Sequence, residues 1–180
     1  RPETGNSNYS ASYQNSTVTS KLNGDDVVET WQGSYSNSIG NQNFGVQASH
    51  TKTSQTQNSQ GLVLDTLNAN HNYSPGPSLS IQSNALLNDS SLRLRNSTGI
   101  SVTTARYLQA GSYATWLPRE NLPLNVTAGV NLFSAQIAID SVSSQSQSIS
   151  GNLGATYNPT RNLSLGVSGT VAVVTADQGG

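Results

Sequence analysis

Residues 147–175 read QSISGNLGATYNPTRNLSLGVSGTVAVVT, and this stretch decides the fold class. Ile149, Leu153, Ala155 and Tyr157 alternate with Ser150, Asn152, Gly154 and Thr156. After Asn158-Pro159-Thr160-Arg161, Leu163, Leu165, Val167, Val171 and Val173 alternate with Ser164, Gly166, Ser168 and Thr170. A period of two places apolar side chains on one face of an extended strand and small polar ones on the other. Two such runs joined by a short Asn-Pro turn predict an antiparallel hairpin.

The same pattern extends towards the N-terminus. Leu124, Val126, Ala128, Val130 and Leu132 oppose Asn125, Thr127, Gly129 and Asn131. Residues 99–117 alternate through Ile100, Val102, Leu108, Ala110, Ala114 and Trp116. Earlier runs fall at 8–22 (Tyr9, Ala11 and Tyr13, then Val18 and Leu22), 27–39, 44–50, 61–73 and 79–87. Apolar residues do not recur at helical spacing over three turns with caps. The prediction is an all-β, antiparallel up-and-down meander of about nine strands: a loose end at 1–7, one domain over 8–174, and a loose end or truncation point at 175–180. Tight turns rich in Pro, Gly or Asn are expected near 41, 76, 119 and 159, and longer polar loops near 57, 92 and 143.

Composition narrows the chemistry. Charged residues make up 9 % of the 180 residues and the net charge is −1, against about 25 % charged in ordinary domains. With eight Lys plus Arg, nucleic acid is not an expected partner. Cysteine is absent, so thiolate metal sites and cysteine nucleophiles are excluded. His50 and His71 lack further ligands at metal spacing, and no metal or cofactor is expected. A triad drawn from Asp65, His71 and a serine carries no information in so serine-rich a chain, and no enzyme activity is expected. Asp25, Asp26 and Glu29 read as a solvated turn. Arg93, Arg95 and Arg106 read as loop arginines or as contacts to lipid phosphates or a pore mouth.

Aromatic residues stand just before the tight turns: Tyr73 before SPGPS, Trp116 before LPRENLP and Tyr157 before NPTRN. With YNPTRNLSLGVSG and YATWLPRENLPLNVTAGVNLF, this pattern resembles Gram-negative outer-membrane β-barrels of the large porin-like kind, over most of residues 27–174. The resemblance implies a bacterial outer-membrane barrel, or a segment of one, acting as a passive channel or barrel scaffold with membrane lipid as its partner. Leu124, Val126, Val130, Leu163, Leu165, Val167, Val171 and Val173 would face lipid. Asn125, Thr127, Asn131, Ser150, Asn152, Ser164, Ser168 and Thr170 would face the lumen, with Tyr73, Trp116 and Tyr157 in an aromatic girdle. Two features depart from the family: the chain ends TADQGG without a terminal aromatic, and nine is an odd strand count. A secreted adhesin or fibre subunit pairing through edge strands is the alternative, and a soluble β-sandwich fits the alternation too.

Overall fold

The computed structural model describes residues 5–20, 24–55, 60–97, 99–118, 122–160 and 163–179. They form one nine-stranded sheet: β1 (Asn6–Ser20), β2 (Gly24–Ile39), β3 (Gln42–Gln55), β4 (Gln60–Gly76), β5 (Leu79–Asn96), β6 (Gly99–Trp116), β7 (Leu124–Ile139), β8 (Val142–Thr160) and β9 (Leu163–Gly179). Each strand pairs antiparallel with the next, in the order β1 to β9, and the sheet is not closed. The expected all-β meander is therefore the fold. Because the strands alternate in direction and number nine, β1 and β9 run the same way at the two edges.

Turn chemistry sets the registers. Gly40, at φ 54°, and Asn41 form the two-residue link between Ile39 and its partner Gln42, a hairpin geometry that needs positive φ. Asp140, at φ 53°, does the same between Ile139 and Val142. Its carboxylate accepts from the Val102 N–H (2.9 Å) and the Ser101 hydroxyl (3.1 Å), which ties this non-glycine turn to β6.

Two hairpins share one device. In Tyr73-Ser74-Pro75-Gly76 and Tyr157-Asn158-Pro159-Thr160 the register shifts between the tyrosine and the residue three positions on. Tyr73 pairs with Ile81 and Gly76 with Leu79; Tyr157 pairs with Leu165 and Thr160 with Leu163. Proline cannot donate to the ladder, and the bulge is where a strand end tolerates it.

Several boundaries differ from those read in the sequence. Residues 88–96 and 142–148, expected as polar loops, are strand, with Asn96 pairing Gly99 and a two-residue link at 140–141. The backbone ladder there needs no apolar side chain, so polarity was a false loop signal. β9 runs through 175–179, and β1 takes in Asn6 and Ser7. Val18 lies opposite Asp26, on the other face from Tyr9. Leu22, residues 56–59, 119–121 and Arg161-Asn162 lie outside the described residues.

No apolar side chain is buried among the described residues. The accessible surface is 12698 Å², against roughly 8,300 Å² for a globular protein of this mass. Both faces of a single-layered sheet stand open, so neither face hides a core.

Candidate functional site

Cross-strand register sorts the side chains into two faces. One carries Tyr9, Tyr13, Trp31, Tyr35, Phe44, Val46, Leu67, Ala69, Ile81, Leu87, Leu108 and Ala110, joined by register to every residue expected to face lipid. On this face the apolar run is nine residues in β6 (Leu108–Trp116) and β7 (Leu124–Leu132) and eleven in β9 (Leu163–Val173), with Ser112 and Gly169 as interruptions. Ser83 and Ser112, paired within the band, satisfy each other at 2.9 Å. His71 in the same row stacks on Tyr73 at 6.5 Å.

The band has two different borders. At the turn end stand Tyr73, Trp116 and Tyr157, each one alternation step further out than the last. At the other end one cross-strand row reads Tyr13, Trp31, His50, Asp65, Asp89, Arg106, Gln136, Gln145, Asp177. Four of its five acidic or basic side chains are paired locally: His50 Nδ1 lies 2.6 Å from Asp65 Oδ1, and Arg106 Nε donates to Asp89 Oδ2 at 2.9 Å. Sequence reading passed over both pairs, because their members lie 15 and 17 residues apart. It considered Asp65 beside His71; the register gives it His50.

That row also measures strand inclination. It stands eight residues from the turn in β3 (His50 against Gln42), ten in β6 (Arg106 against Trp116), twelve in β7 (Gln136 against Leu124) and fourteen in β9 (Asp177 against Leu163). A drift of roughly one residue, ~3.3 Å, per strand spacing of ~4.8 Å leans the strands by about 35° from the perpendicular to the line of turns.

The opposite face carries all eight residues expected in the lumen. One row reads Asn8, Ser36, Gly45, Asn70, Asn84, Gly111, Asn131, Ser150, Ala172; the next holds Asn72, Gln82, Tyr113, Gly129, Asn152 and Thr170. Among the described strand residues, Asp26 alone brings a charge to this face. Asparagines fold over neighbouring glycines. A Cβ at Gly45 would meet Asn70 Oδ1 at 2.5 Å, one at Gly111 would meet Asn131 Oδ1 at 2.6 Å, and one at Gly129 would collide with Asn152. On the apolar face Gly151, between Val130 and Val171, would meet only a backbone oxygen at 3.9 Å.

Beyond the charged row the faces exchange character. Arg93 and Arg95 lie on the face of the apolar band, in strand rather than loop, with Lys52 and Glu29. The polar face there turns aliphatic, with Leu62, Leu64, Leu92, Leu94, Ile137 and Ile139. Leu92 and Leu94 fall where the sequence predicts a polar loop, whereas Leu62 and Leu64 fall in the strand predicted at 61–73; the aliphatic patch they form together is not a feature that the sequence reading identifies. Groups of three or more metal-ligating side chains do not occur among the described residues.

Family models, characterised proteins and solved structures were compared with the chain, and none matches.

Proposed function

We propose that this sheet belongs to a β-barrel of a bacterial outer membrane, with its apolar face against lipid and its polar face lining a passive channel or scaffold. The observation that carries this is the height of the apolar band. In β6, β7 and β9 nine to eleven residues at ~3.3 Å each, leaning by about 35°, span roughly 25–30 Å, the thickness of a bilayer's hydrocarbon, while the runs in β3 (Phe44–Ala48) and β4 (Leu67–Tyr73) are shorter. Aromatic residues on one border and charged residues on the other are placed as the two interfaces require. The crowding of asparagine against glycine supports the polar face as the inner side of a curved sheet, where side chains converge. An inner face almost free of charge implies weak ion selectivity, read by reversal potential in a planar bilayer; a strong cation or anion preference would count against it. No catalytic activity is proposed. Antiparallel closure needs an odd number of further strands, since β1 and β9 run the same way. Detergent-dependent folding with heat-modifiable gel migration is expected; a chain folded and monomeric in plain buffer would refute the proposal.

A fibre or adhesin subunit is the second reading, and β9 favours it. Every residue from Leu163 to Gly179 is exposed, and the edge carries no lysine, proline or other charge until Asp177. Such an edge accepts strands from other chains. Replacing Val167 and Ser168 with Pro and Lys would then give a soluble monomer and end polymerisation; in the barrel reading it stops membrane assembly instead. Absence of ordered filaments by electron microscopy at high concentration in detergent-free buffer removes the fibre reading.

A further inference from the structure

We propose that Ser91, Arg93, Thr104 and Arg106 hold the phosphate of an anionic membrane lipid on the outward face of β5 and β6. The inference rests on the barrel reading and deepens it by naming the lipid class which that face selects. Register puts Arg93, Arg95 and Arg106 on the face of the apolar band, so in a barrel they stand on the lipid side and not at the pore mouth. Ser91 and Thr104 are direct cross-strand partners. Arg93 lies one alternation step outward of Ser91 on β5, and Arg106 one step inward of Thr104 on β6. Two hydroxyls thus lie between two arginines on a strip two strands wide. Hydroxyls donate to phosphate oxygens, and a guanidinium does so through charge-assisted bonds about twice as strong as neutral ones. Arg106 keeps Nε and Nη2 on Asp89, which leaves Nη1 to donate. Arg93 is exposed and in no ion pair among the described residues.

Height singles out this row. The apolar run of β6, Leu108–Trp116, is centred on Ser112, and Thr104 lies eight residues from that centre. At ~3.3 Å per residue and a lean of about 35°, the rise is roughly 22 Å. Half of a bilayer with its headgroups is ~20–22 Å. The headgroup level therefore falls at Ser91 and Thr104, with Arg106 just beneath it and Arg93 just above. The nearby acids leave the strip positive. Asp89 is on Arg106 and Asp65 on His50. Asp140, at the turn beside β6, is held by the Val102 N–H and the Ser101 hydroxyl. Asp25 and Glu29 lie on β2, with Glu29 opposite Lys52 and three strand spacings from Ser91, ~14 Å. Arg93 itself faces Gly61 and Val102, so an anion meets no acid directly across from it.

The test is native mass spectrometry of the protein in detergent, titrated with dioleoylphosphatidic acid or with dioleoylphosphatidylcholine, whose headgroup carries its own cation. One phosphatidic acid should bind at a concentration roughly five- to tenfold below that needed for phosphatidylcholine. Arg93→Gln should bring the two lipids to within about twofold. Ser91→Ala with Thr104→Ala should weaken phosphatidic acid by roughly threefold or more. Lys52→Gln removes the same charge from the same cross-strand row, two strands away on β3, and should leave the preference intact. Equal affinity for the two lipids in the unmodified protein would overturn the proposal. So would equal losses in Arg93→Gln and Lys52→Gln, which reflect net charge alone, and so would displacement of the lipid by inorganic phosphate, which marks a free-anion site. Circular dichroism of each variant establishes that its strands are intact. A chain that retains neither lipid overturns the barrel reading together with the site, whereas retention of both without preference overturns the site alone.

Discussion

Asp65 and Asp89 stand directly opposite each other across β4 and β5, and each carboxylate is met from its outer side by a basic group. Like charges directly opposite destabilise a sheet, so the row His50, Asp65, Asp89, Arg106 is arranged as two flanked acids. Arg106→Gln should expose the repulsion. The side chains are 61 % (Arg106) and 37 % (Asp89) exposed, so screening keeps the loss to roughly 0.5–1 kcal/mol. Asp89→Asn in the same chain should recover most of it. A double-mutant cycle by chemical unfolding reads the coupling, which high salt should weaken.

Charge placement should distinguish the two faces sharply. Val130→Arg, in the middle of the apolar band, should cost about 2–4 kcal/mol of folding in lipid. Ser150→Arg, on the polar face of the adjoining strand, should assemble normally and move the reversal potential towards anion preference. Equal losses for both variants would contradict the assignment of faces.

Glycine tolerance should follow the same division. Gly129→Ala drives a methyl group into Asn152 and to 3.2 Å from Tyr113, at a cost of about 1–2 kcal/mol, and Asn152→Ala should relieve it. Gly151→Ala meets only a backbone oxygen at an ordinary 3.9 Å and should be neutral or gain a few tenths of a kcal/mol through reduced chain entropy. Unfolding midpoints of the three variants check this.

The tryptophans mark the two borders of the band. Trp31 lies in the charged row, with its ring 4.1 Å from that of Tyr13, and Trp116 stands at the turn end of β6. In lipid, Trp31→Phe and Trp116→Phe variants should each retain one emitter. It should be quenched more by bromines near the glycerol backbone than by bromines at the chain ends. Emission that stays open to aqueous quencher in the presence of lipid would show that this face is not the lipid contact.

The sequence by itself determined the strands, their alternation and most of the turns. Period-two patterning is a local property, and residues such as Leu163–Val173 or Leu124–Leu132 declare their shared side without reference to any neighbour. Nine strands, one sheet and sequential pairing follow from short links that let each strand reach only the next. Which residues share a row was settled only in the tertiary structure, because register depends on turn length and on the bulges after Tyr73 and Tyr157. That is why the His50–Asp65 and Asp89–Arg106 pairs, the lean of the strands and the aliphatic patch of Leu62, Leu92 and Ile139 could not be read from the chain. Polar stretches 88–96 and 142–148 misled for a related reason. Backbone hydrogen bonds build a ladder whatever the side chains are, so polarity alone does not end a strand.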